Sequence, residues 1–137
     1  MTDQLISFET AKLAKERGFR ERVRFHYYNN SIKPFIEDNL KADFPASPTG
    51  MWDANMHGKT DLIHTSAPTQ SLLQKWLREV HNIHMFVSIT TNDIFLCRIL
   101  NPLFKNGSEG RFIICKICNT YEEALEQGLI EALKLLP

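Results

Sequence analysis

Two cysteines stand three residues apart in Cys115-Lys-Ile-Cys118. A C-x-x-C pair can hold zinc or cycle as a dithiol, and both uses need the sulfurs on one side of a turn. This pair lies within Phe112-Ile-Ile-Cys-Lys-Ile-Cys118, which reads as a strand. Residues three apart on a strand point to opposite faces, so one core cysteine and one outward thiol are expected. No second C-x-x-C completes a zinc site. His81-Asn-Ile-His84 also has metal-like spacing, but it spans a helix end and a strand start, where His81 complements the helix dipole. His57 and His64, with Asp53 and Asp61 nearby, could form a metal or acid–base cluster. They are the basis for one alternative, a metal-dependent enzyme with its site in the irregular segment 38–64. No G-x-S-x-G, P-loop or dinucleotide fingerprint places a nucleophile or a phosphate. Neither a catalytic residue nor a metal or cofactor is assigned.

A second set of residues is suited to binding. Lys12, Lys15, Arg17, Arg20, Arg22 and Arg24 are basic, with Glu16 and Glu21 among them, and His26, Tyr27 and Tyr28 follow. Basic residues beside aromatics suit single-stranded nucleic acid or a phosphorylated partner. The competing reading is a solvated face balanced by the acidic last helix with Glu122, Glu123, Glu126 and Glu131. Trp52 and Ile130 are candidate exposed apolar groups for a protein contact. The candidate partner-binding residues are thus Trp52, Ile130, Tyr28 and the six basic residues.

Composition narrows the classes. The 137 residues fit one domain, 1–137, able to bury a core without staples. Sixteen basic and sixteen acidic side chains cancel, whereas a dedicated nucleic-acid binder usually carries a basic surplus. A protein partner is therefore favoured over nucleic acid. No run approaches the roughly 18 apolar residues of a membrane span. Met1-Thr-Asp-Gln-Leu-Ile-Ser7 lacks the basic and apolar pattern of a secretory signal. With three cysteines, an odd number, reduced thiols and a cytoplasmic location are expected.

The elements that must position these groups follow from patterning. Ser7 can cap a helix over Phe8 to Arg17, with Gly18 as its left-handed stop. Arg22 to Tyr28 alternates as a strand, Asn29-Asn30 turns, and Ser31 to Ile36 returns as an edge strand because Pro34 cannot donate to a ladder. From Asp38 to His64 no period emerges. Such a long loop in a compact domain is functional or mobile. Ser66 to Val80 reads as a helix with Leu72, Leu73, Trp76, Leu77 and Val80 on one arc. Strands at Ile83–Ile89, Ile94–Leu100 and Arg111–Cys118 follow, with turns at Asn92-Asp93 and over Lys105–Gly110. The chain closes with a helix from Tyr121, capped by Thr120, whose small residues Ala124, Gly128 and Ala132 allow close approach to a sheet. The expected fold is α+β, in the order α-β-β-loop-α-β-β-β-α, with helices on one face of an antiparallel sheet.

Three strings carry a resemblance: residues 6–19 (ISFETAKLAKERGF), 66–83 (SAPTQSLLQKWLREVHNI) and 121–135 (YEEALEQGLIEALKL). They resemble a family of small uncharacterised proteins encoded by phages, prophages and mobile elements of gut bacteria. That resemblance implies an intracellular accessory protein and transfers no catalytic residue. Separately, the αβββα order of residues 66–136 is similar to a double-stranded-RNA-binding domain. Its strand-then-Thr-Tyr-Glu-Glu-Ala-Leu-Glu ending looks like HicB-type antitoxins. RNA-binding domains of that kind place lysines at the start of the last helix, where this chain has Glu122 and Glu123. The expectation is a non-enzymatic accessory protein that binds another protein. Nucleic-acid binding through the basic N-terminal helix and hairpin is the alternative.

Overall fold

The structure, a computed structural model, describes residues 3–29, 33–40, 51–57, 64–90, 92–100 and 112–137. The expected turns at Asn29-Asn30 and over Lys105–Gly110, with Pro45, Pro48, Gly58 and Asp61, fall wholly or partly outside those residues. Two compact units are distinguished, Leu5–Thr69 and Gln70–Pro137, the second taking in the first residues of the chain. The α+β class holds, but among the described residues the strands form two three-stranded antiparallel sheets instead of the single sheet expected.

In the Leu5–Thr69 unit, helix α1 (Phe8–Glu16) begins where the Ser7 side chain accepts from the Thr10 N–H and ends just before Gly18, at φ +93°. Strand β1 (Phe25–Asn29) lies between β2 (Pro34–Asp38) and β3 (His64–Ser66), both antiparallel to it. Pro34 therefore sits on an edge strand, where its missing N–H costs no ladder bond. The third strand lies in the stretch read as irregular loop and helix start. Its three residues are too few to show a period. β1 is covered on both faces. Tyr27 meets Phe8 of α1 edge-on at 5.4 Å and donates its hydroxyl to the Ile6 carbonyl at 2.6 Å. His26 faces the other way and is fully buried.

In the second unit, helix α2 (Gln70–His81) starts four residues later than its apolar pattern indicates. Thr69 still bridges to Leu5, and the Pro68 carbonyl accepts from the Ile6 N–H. The first N–H groups of α2 are satisfied by a distant segment: Gln70 donates to the Gln4 carbonyl, and Asp3 accepts from both the N–H and the hydroxyl of Ser71. A remote carboxylate thus supplies the cap a helix start requires. Asn82, at φ +56°, ends the helix. Strands β4 (His84–Ile89), β5 (Phe95–Leu100) and β6 (Phe112–Ile114) form a meander in that order. Helix α3 (Tyr121–Lys134) follows, with the Thr120 hydroxyl accepting from the Glu123 N–H. α2 and α3 pack on the face carrying Met85, Cys97 and Ile99, all buried.

The segment after β6 departs from regular alternation. Phe95 and Cys118 exchange both backbone hydrogen bonds, and the Cys115 N–H donates to the Cys97 carbonyl at 2.9 Å. Opposite Phe95-Leu96-Cys97 there are four residues, Cys115-Lys-Ile-Cys118. This is a β-bulge, in which one extra residue breaks the ladder and resets the faces. Lys116 and Ile117 both turn outward, while Cys115 and Cys118 are both buried. The expectation of one core and one outward thiol is overturned for this reason.

Candidate functional site

Three constellations could carry function, and their geometry separates them. The first surrounds His26. The Asn39 amide nitrogen donates to the Val23 carbonyl at 2.8 Å, which turns its oxygen toward His26 Nδ1 at 2.6 Å. An amide oxygen only accepts, so Nδ1 carries the proton. Nε2 lies 3.0 Å from Glu37 Oε2, close enough for an ion pair but not aligned as a hydrogen bond. Around this imidazole stand Trp52 and His64, each with ring centroids 5.3 Å from it, and Tyr28 stacks edge-on against His64.

Local structure fixes this cluster from below. Trp52 and Val23 exchange two backbone hydrogen bonds, each 2.9 Å. Asn55 donates to the Phe19 carbonyl and accepts from the Ser66 N–H. Within the segment read as loop, residues 51–57 are therefore stitched into their unit. Both His26 nitrogens face protein oxygens, those of Asn39 and Glu37, and the ring itself is fully buried. The cluster can hold β1 and its neighbours in place. It is not arranged as a substrate-facing acid–base pair.

The residues expected to bind a partner are mostly spent on the protein itself. Lys15 is buried and its Nζ donates to the His64 carbonyl at 3.0 Å. Arg20 meets Asp53 at 2.7 Å, Arg24 grips Asp38 through two hydrogen bonds, and Lys12 pairs with Glu9 at 3.2 Å. The Asp38 contact holds the Arg24 guanidinium above its ordinary range. Arg17 is half-buried, and Arg22 is exposed. Tyr28 and Trp52 are half-buried in the aromatic cluster, and Ile130 is half-buried on α3. Asp53 is drawn to Arg20, and Asp61 and the His57 side chain lie outside the described residues. His81 packs edge-on against Trp76 at 4.7 Å, while His84 meets Asn82 at 2.9 Å, so the two do not converge. Among the described residues no group of three or more His, Cys, Asp or Glu side chains is placed to hold a metal ion.

The second constellation is a cleft of about 210 Å³ at the start of α2, lined by Asp3, Gln70, Ser71, Tyr121 and Glu122 among others. Its polar groups are already engaged. Gln70 donates to the Glu122 carbonyl at 2.9 Å and to Glu126 at 3.0 Å, and Asp3 is occupied by Ser71. The volume is below the several hundred Å³ usual for small-molecule sites.

The third is the face of the β4–β5–β6 sheet turned away from α2 and α3. The register places Phe86 opposite Arg98, and Arg98 opposite Ile114, in one row across all three strands. Phe86 is 46% exposed and Ile114 62%, and Ile117 on the bulge is 61% exposed. Arg98 and Lys116 are exposed beside them. An exposed arginine flanked by exposed phenylalanine and isoleucine is the mix of side chains found at the centres of protein contacts. Sequence reading missed this row. The signal was Phe86 and Ile114, apolar at outward even-numbered strand positions, which alternation alone cannot assign to core or contact.

No protein-family model, curated protein or solved structure matches the chain.

Proposed function

We propose that this chain is a non-enzymatic binding protein that docks a protein partner on the face of its β4–β5–β6 sheet turned away from α2 and α3. The observation that carries the reading is the exposed Phe86–Arg98–Ile114 row, held in register by two strand pairings. Aromatic, apolar and arginine side chains are the types concentrated at the centres of protein interfaces. A protein is favoured over nucleic acid because Lys15, Arg20 and Arg24 are engaged with the chain's own oxygens. The zero net charge gives no general attraction to phosphate. The resemblance of the three sequence strings to phage and mobile-element proteins supports an accessory role, and three free cysteines support a cytoplasmic setting.

The test compares Phe86→Glu and Ile114→Glu with the unmodified chain in affinity capture from lysate of the source cells. A partner that is retained by the unmodified chain and lost from both variants, with circular dichroism unchanged, supports the reading. A partner retained equally by all three places the contact elsewhere. Recovery of nucleic acid in a salt-sensitive manner overturns the choice of partner class.

A further inference from the structure

The bulge that buries Cys115 and Cys118 together has a chemical consequence for Cys97. Cys97 and Cys115 stand directly across from one another on β5 and the continuation of β6, joined by the Cys115 N–H to Cys97 carbonyl bond. Both side chains lie on the buried face. Opposed residues of an antiparallel pair have Cα atoms about 4.5–5.5 Å apart, within the range a disulfide spans. The Cys97 thiol donates to the Arg98 carbonyl at 3.9 Å, and the influence of each thiol on the other holds Cys115 below its ordinary range and Cys97 above it. Cys118 is different. It sits across from Phe95, its thiol donates to the Lys116 carbonyl at 3.4 Å, and burial pushes it up.

We propose that Cys97 and Cys115 form a peroxide-oxidisable dithiol that closes an intramolecular disulfide across β5 and β6, with Cys115 as the attacking sulfur and Cys118 uninvolved. Cys115 retains 7% exposure while Cys97 has none, so a small oxidant meets Cys115 first. Its thiolate attacks one oxygen of hydrogen peroxide. An S–O bond forms, the O–O bond breaks, and the hydroxide released takes up a proton to leave as water. The Cys97 sulfur then attacks the Cys115 sulfenic acid. The S–S bond forms, the S–O bond breaks, and the hydroxyl departs as water with the Cys97 proton. Two thiols and one peroxide thereby give one disulfide and two waters. The product latches β5 to β6 beneath α3, where Cys97 abuts Gly128.

The test is peroxide treatment of the full chain, followed by denaturation, maleimide labelling and intact-mass and peptide mapping. Of the three cysteines, one is expected to remain labelled, the mass before labelling falls by two hydrogens, and the linked peptides carry Cys97 and Cys115. Cys118→Ser is expected to behave as the unmodified chain does. Cys97→Ser is expected to stop at a Cys115 sulfenic acid trapped by a dimedone probe. Three labelled thiols after treatment, a linkage that includes Cys118, or a link between two chains would each overturn the proposal. The map of the unmodified chain decides the matter even if a variant fails to fold.

Discussion

Replacing Gly128 by alanine tests the packing on which the second unit rests. Helix α3 lies so close to β5 that a Cβ at position 128 would land on the Cys97 sulfur and come within 2.9 Å of the Cys97 Cβ. The sulfur can turn about one torsion, but the Cβ is fixed to the strand backbone, so either the strand or the helix must shift. Overpacking of this kind costs about 1–3 kcal/mol, and a contact with backbone-fixed atoms belongs at the upper end. Alanine gains about 0.8–1 kcal/mol over glycine in a helix interior. The net expectation is a loss of about 2 kcal/mol, read as a lower urea midpoint at unchanged slope. Cys97→Ala removes the sulfur and leaves the Cβ, so the double variant should recover part of the loss, with a coupling of about 0.5–2 kcal/mol. A Gly128→Ala variant more stable than its parent would show that the helix stands off the sheet and would refute the close approach.

Other expectations follow from single contacts. Asn39→Ala removes both the acceptor for His26 Nδ1 and the donor to the Val23 carbonyl in a buried setting. It should cost about 2–4 kcal/mol in urea unfolding, and Asn39→Asp should cost no less, because a buried carboxylate oxygen then faces the Val23 carbonyl. Thr120→Ala removes the α3 cap and should cost about 1 kcal/mol, measurable in the same assay. Burial lowers the His81 pKa from its ordinary 6.5. The unfolded chain therefore binds the proton more readily, and this contribution to stability is full above pH 6.5 and lost as pH falls through that value toward the folded pKa. In His81→Gln the acid-side decline in midpoint should be shallower. An identical decline would remove His81 as its source.

Much of the architecture was legible where a pattern had room to repeat. The Ser7 and Thr120 caps, the Gly18 stop, the amphipathic face of α2 and the small-residue stripe of α3 each follow from local physics. Pro34 marks an edge strand by its missing N–H alone. Three features escaped for equally physical reasons. β3 has only three residues, and its place beside β1 is set by long-range pairing. The bulge at Cys115–Cys118 inverts an inference that assumes uninterrupted alternation, because one added residue exchanges the faces. The basic stretch read as a surface, yet Lys15 is buried, and Arg20 and Arg24 find carboxylates 33 and 14 residues away. Spacing along the chain carries no information about such distant partners.

The central claim is that the Phe86–Arg98–Ile114 row is where a protein partner sits. A photo-crosslinking side chain placed at Ile114, compared with one at exposed Val80 on α2, addresses it directly in lysate of the source cells. Crosslinking to one protein from position 114, absent from position 80 and abolished by adding Phe86→Glu, is the predicted result. Equal crosslinking from both positions, or capture that survives the Phe86 substitution, would contradict the assignment of this face.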